Sequence, residues 1–124
     1  MGLQFENLIV NNYRDILAPL HLEKVIVNSA APFVQKATKA KGTGVQIDLL
    51  VQANMSMCIV EIKRQAHIGR EIIDEVKEKC RRLRHSPGVS IRTALVFDGE
   101  LVRSVEADGF FDAIVPIRSL LKIP

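Results

Sequence analysis

Residues 45–64 read VQIDLLVQANMSMCIVEIKR. Over 45–53 the side chains alternate, so that Val45, Ile47, Leu49 and Val51 share one face of a strand and Gln46, Asp48, Leu50 and Gln52 the other. After a short break at 54–56, residues 57–64 form a further strand that is apolar through Val60 and then turns polar at Glu61 and Lys63. Residues i and i+2 of a strand point the same way, which puts Glu61 and Lys63 on one face. If the two strands pair about a turn near residues 53 to 56, Asp48 and Glu61 meet at one end of the sheet. Carboxylates a few Å apart repel each other unless a cation or a proton lies between them, and a divalent ion with oxygen ligands fits that place. Lys63 beside such an ion would orient a water or stabilise charge growing on a phosphate oxygen.

Working outward, residues 3–18 carry a helical period that stops at Pro19. Phe5, Leu8, Ile9, Val10, Tyr13, Ile16 and Leu17 make its apolar face, and Glu6 falls inside that arc, between Tyr13 and Leu17. A carboxylate there is either at the margin of the buried face or aimed at something that needs it. A β-prone run follows around 25–27, with a weaker one near Phe33, and KATKAKGTG at 36–44 reads as an exposed hairpin loop. With the two strands at 45–64, these predict an antiparallel meander.

Downstream, 68–85 returns to the helical period, with Ile68, Ile72, Val76, Cys80 and Leu83 as the apolar stripe. A basic row of Arg70, Lys77, Arg81 and Arg84 flanks it, and Glu71, Asp74, Glu75 and Glu78 lie beyond that row. Ser-Pro-Gly at 86–88 ends the helix. A strand is expected at 91–97, closed by the Asp-Gly turn signal at 98–99, then a short helix at 100–107, a second Asp-Gly, and a last strand at 112–117 whose Pro116 implies a sheet edge. The order α-β-β-β-α-β-(α)-β predicts a mixed α/β class, with one central sheet flanked by helices.

A chain of 124 residues is the size of one compact domain, here 1–124. Its 48% apolar and 25% charged residues exclude a disordered chain. No apolar run approaches the roughly 18 residues of a membrane span. The N-terminal MGLQFENLIV lacks the basic head of a signal peptide, so a cytoplasmic location and no membrane partner are expected. Cys58 and Cys80 sit among apolar neighbours and are expected to be buried free thiols. A net charge of +3 permits a polyanionic partner without requiring one. His21, His67 and His85 show no ligand spacing and are expected on the surface.

Asp48, twelve intervening residues, then Glu61-Ile62-Lys63 resembles the PD-(D/E)XK nuclease motif. The order α-β-β-β-α-β is likewise similar to the restriction-endonuclease-like core of that superfamily. LQFENL, GVQIDLLVQ, IVEIKR and EIIDEVKEKCRRL together resemble the nuclease-like C-terminal domain attached to predicted archaeal-type P-loop ATPases. The resemblance implies that Asp48 and Glu61 bind Mg²⁺ or Mn²⁺ with the main-chain carbonyl of Ile62, that Glu6 completes the acidic cluster, and that Lys63 is the catalytic lysine. Gln65, next in the row of Glu61 and Lys63, would hold substrate or water. DNA would be the substrate, a P-loop ATPase a domain or partner, and a homodimer the assembly. Ile47, not proline, precedes Asp48, and the chain has no GxxxxGK[ST] loop, so any ATPase would lie on another segment or chain.

Each of these features also has a plainer reading. Glu61 and Lys63 taken alone are a same-face ion pair at a strand end. Glu6 could cap or flank a helix N-terminus. The row Arg70, Lys77, Arg81, Arg84, like Lys36, Lys39 and Lys41 of the loop, is either a solvated face or a track for a phosphate backbone. A nuclease-fold module that binds nucleic acid or docks onto an ATPase without cutting, or a protein-interaction domain dimerising through a sheet edge or helix face, would carry the same features.

Overall fold

A two-residue connection, Asn54 and Met55, joins strands β2 (Val45–Ala53) and β3 (Ser56–Ile68) into an antiparallel hairpin closed by the Ala53/Ser56 pair, at the turn the alternation predicts. The computed structural model describes residues 12–18, 26–37 and 44–120. Within them β1 (Val27–Gln35) adds antiparallel to β2, while β4 (Ser90–Leu101) and β5 (Ala113–Pro116) add parallel beyond β3. The result is a mixed five-stranded sheet in the order β1-β2-β3-β4-β5. Pro116 lies on an edge strand, as expected of a proline in a sheet.

Helices cover both faces. Ile16 and Leu17 of α1 (Tyr13–Leu17) are buried with Leu49, Val51, Cys58, Val60, Ala94, Val96 and Val115. Ile72, Ile73 and Val76 of α2 (Glu71–Arg82), with Val105 of α3 (Arg103–Asp108), bury the other face against Ile47, Leu50, Ile59 and Leu95. The parallel β3-β4 pair requires a crossover, and α2 supplies it. A short 3₁₀ turn, Ile117–Ser119, follows β5. The expected helix at 3–18 lies outside the described residues except for its last turns. Among the described residues no helix is long and apolar enough to cross a membrane.

Several boundaries differ from the sequence reading, each for a local reason. Val45 and Ile47 do not share a face with Leu49 and Val51: the first two belong to the layer under α2, the second two to the layer under α1. Ala31 pairs with Leu50 and Phe33 with Ile47, so that Pro32 alone faces both Asp48 and Leu49. Proline has no N–H to donate, and the extra residue in β2 is a bulge that shifts the side-chain phase. Of the two β-prone segments expected near 25–27 and Phe33, the described residues from Val27 to Gln35 form one strand, not two.

Asp98-Gly99 is not a turn, because β4 runs through it to Leu101. There Gln65 and Ala66 of β3 face the single Gly99, whose φ is +138° and whose added Cβ would sit 1.8 Å from the Gln65 carbonyl oxygen, so only glycine fits. Helix α2 ends at Arg82 rather than 85 because Leu83 turns extended and buries its side chain. Buried Gln35 caps that end, its Nε2 donating to the Arg82 carbonyl (2.7 Å) and its Oε1 accepting from Arg84 N (2.8 Å). Ser-Pro-Gly makes the following turn, with Gly88 at φ +87°. Ile68, read as part of the helical stripe, is the last residue of β3.

Candidate active site

The β2-β3 ladder is regular from Ala53/Ser56 to Leu49/Val60 and stops there. Extending its register by one step would pair Asp48 with Glu61. Instead the bulge opposite Pro32 carries β2 on alongside β1, while β3 continues in register with β4. The strands part at the two carboxylates. Asp48 bridges the opening, its Oδ2 accepting from Ile62 N at 2.9 Å and so standing in for the ladder partner that Ile62 would otherwise lack.

Glu61 is only 5% exposed, a rare state for a carboxylate unless it is paired. Its partner is Lys79 of α2, with Nζ 2.7 Å from Oε1. Burial pushes the Glu61 carboxyl above the usual carboxylate range; the Lys79 hydrogen bond and charge oppose the rise, the Asp48 charge adds to it, and Lys63 lowers it again. Asp48 is therefore close enough to act on Glu61. Lys63, two residues on and half-buried, reaches Glu75 of α2, Nζ to Oε2 3.5 Å. Beside these groups an open cleft of about 770 Å³ runs between the outer half of β2 and α2, lined among others by Gln46, Asp48, Glu75, Glu78, Lys79 and Arg82.

Asp48, Glu61 and Lys63 thus come together where the hairpin opens, with the main chain of Ile62 between them. Glu6 lies outside the described residues, and so do Lys39, Lys41 and His21. Gln65 does not join the group: it is exposed in the bulge opposite Gly99, and its Nε2 donates to the His67 carbonyl at 2.7 Å. The basic row is mostly engaged elsewhere. Arg70 binds the Ser104 carbonyl (2.9 Å) and Asp108 Oδ2 (2.8 Å), Lys77 lies 5.5 Å from the centre of the Phe110 ring, and Arg81 is paired with Glu78. Arg84 is exposed beyond the helix end, as is Lys36 beyond β1. His67 and His85 are on the surface, and Cys80 is half-buried whereas Cys58 is fully buried.

Two residues of the site escaped the sequence reading. Lys79 carried a weaker signal than Glu6: stepping about 100° per residue, it falls between Glu75 and Ile72, at the margin of the arc that α2 buries. A lysine at that margin can lay its stem on the apolar face and carry its ammonium to an anion or to solvent. Glu75 appeared only as one of four acids on the exposed side; its approach to Lys63 depends on how α2 crosses the sheet.

The two carboxylates at the opening are hard oxygen donors, of the kind that Mg²⁺ takes while keeping several waters. Burial and the Asp48 charge make the ionised form of Glu61 costly, and that carboxylate already draws an ammonium to itself. That donor chemistry fits a divalent cation. Among the described residues no group of three or more His, Cys, Asp or Glu side chains is arranged to hold a metal ion, so the described part of the site offers two acids rather than three. Comparison of the chain with protein-family models, curated proteins and solved structures found no match.

Proposed function

We propose that the cleft is the active site of a Mg²⁺- or Mn²⁺-dependent nuclease that hydrolyses DNA phosphodiester bonds, and that the chain is a PD-(D/E)XK domain with a restriction-endonuclease-like core. The observation that carries this reading is the convergence of Asp48, Glu61 and Lys63, from two strands, at the one point where the β2-β3 ladder opens. Asp48 and Glu61, with the Ile62 carbonyl, would hold the ion, which when bound supplies an acidified water and polarises the scissile phosphate. Asp48 enters the site oriented, because Ile62 N fixes one of its oxygens. Glu61 brings a charge that burial makes costly and that a cation would compensate. Lys63 would meet a phosphate oxygen, stabilising the charge that develops there as water attacks in line with the leaving oxygen. Arg82 would extend the positive side of the cleft along the strand. The reading takes DNA as partner, the cytoplasm as setting, and a P-loop ATPase as associated module.

A second reading has its own support. Glu61 is already neutralised by Lys79, and Asp48 already holds a backbone N–H, as in a nuclease-fold module that keeps its acids as structure and binds nucleic acid or docks onto an ATPase without cutting. The two readings separate when purified protein is incubated with supercoiled and branched DNA in Mg²⁺ or Mn²⁺ beside Lys63→Ala. Cutting that is lost in the variant supports the nuclease. Salt-sensitive retention of DNA on a gel with no cutting by either protein supports the binding module.

A further inference from the structure

Four charged side chains link the site to α2: Glu61 with Lys79 at 2.7 Å, and Lys63 with Glu75 at 3.5 Å. The first contact is short and largely buried; the second is long and open to solvent, so it is the weaker. Lys79 follows Glu75 by four residues on α2, the orientation in which a helical Glu-Lys pair is favourable, and both line the same cleft. The other acid of that cleft wall, Glu78, is taken by Arg81 and Arg82, and Arg82 also lies 3.5 Å from the Gly44 carbonyl. Glu75 is therefore the carboxylate on α2 to which a displaced Lys79 would turn. Resting on the nuclease reading above, we propose that Lys79 is a displaceable counter-ion: when a divalent cation binds Asp48 and Glu61, Lys79 moves from Glu61 to Glu75, and Lys63, released by Glu75, becomes available to a phosphodiester.

Charge balance explains why the exchange is directed. Asp48, Glu61 and Glu75 against Lys63 and Lys79 leave the group one negative charge in excess, which attracts a cation and repels a phosphate. Adding a double positive charge reverses the sign. Lys63 is then free at the moment the site can accept an anion. Lys79 and Glu75 are positioning residues in this scheme, acting through Glu61 and Lys63.

The test reads metal binding and lysine accessibility on the full chain, neither of which requires turnover. Binding of Mn²⁺, followed by the electron paramagnetic resonance signal of the free ion, should tighten about tenfold in Lys79→Met and Lys79→Gln, the size of one charge-assisted contact removed from competition. Lys79→Arg, which keeps a cation on Glu61, should bind as the unsubstituted protein does. Acylation of Lys63 by an amine reagent, quantified by peptide mass spectrometry, should speed up several-fold on adding Mn²⁺ to the unsubstituted protein. In Glu75→Gln it should be fast with or without the ion. Equal Mn²⁺ affinity in the unsubstituted protein and both Lys79 variants, with binding lost in Asp48→Asn, would overturn the counter-ion role while leaving the metal site standing. Lys63 acylation that ignores Mn²⁺ would overturn the relay even if a Lys79 variant fails to fold. No Mn²⁺ bound by any of these proteins would remove both the nuclease reading and the proposal.

Discussion

On the proposed nuclease reading Asp48 has two separable tasks, and replacing it by alanine and by asparagine should pull them apart. Its Oδ2 accepts from Ile62 N at 2.9 Å where the β2-β3 ladder has ended, so alanine leaves a half-buried N–H without its acceptor. A charge-assisted bond of this kind contributes about 1.5–3 kcal/mol, and the loss is offset in part because removing Asp48 relieves the repulsion that raises the Glu61 carboxyl. A net loss of about 1–2 kcal/mol is expected for Asp48→Ala, or about 4–8 °C in Tm for a domain of this size. Asparagine keeps a carbonyl oxygen to accept the bond and should cost about 0.5 kcal/mol or less. Cutting of supercoiled DNA should fall to background in both, since the amide cannot supply the negative charge that a divalent cation needs. Urea unfolding followed by circular dichroism gives the stability difference, and a plasmid-nicking assay gives the activity. Equal stability of the two variants would refute the bridging role of Asp48. An asparagine variant that still cuts would refute the ligand role.

Two further outcomes test the frame around the site. Gly99→Ala should lose at least ~3 kcal/mol by thermal unfolding, because φ +138° and a Cβ 1.8 Å from the Gln65 carbonyl oxygen force the β3-β4 bulge to move, whereas Gly109→Ala, with φ +77° and no atom within 4 Å, should cost about 1 kcal/mol; similar losses would mean that the bulge adapts freely. In the native protein a thiol reagent at pH 8 should modify the half-buried Cys80 and spare Cys58, whose thiol burial and the Asp112 charge push up to about 12; labelling of Cys58 at the rate seen in urea would mean that the face under α1 is open.

The elements themselves could be read from the sequence because each is a simple periodic object. Alternation in 45–53 and 57–64, the apolar stripe through Ile72 and Val76, and a proline near the end of an apolar run are local features, and the strands, α2 and the edge position of β5 followed from them. The departures occur where two segments distant in sequence share a constraint. Pro32 breaks the ladder, but the consequence appears sixteen residues later, as the phase change at Asp48 and Leu49. Asp98-Gly99 has the composition of a turn, yet the close approach of the Gln65 carbonyl, not a reversal of the chain, is what demands glycine.

The same distinction governs the site. Glu61 and Lys63 share a face through strand geometry alone, and the hairpin carries Asp48 to the end of its ladder beside them, so that part of the group was legible from two short strands. Its electrostatic state was not, because the compensating charge comes from a helix whose azimuth is fixed only when Ile72, Ile73 and Val76 pack on the sheet. Once that packing is set, Lys79 lies at the edge of the helix face that meets the sheet, partly open to the cleft, and its ammonium reaches the buried Glu61 at 2.7 Å. Lys79 makes the burial of Glu61 tolerable. A sequence search for this kind of site therefore gains by looking for a lysine at the margin of the apolar arc of the helix that follows the strand carrying Glu61 and Lys63, since that position gives the buried acid a counter-charge.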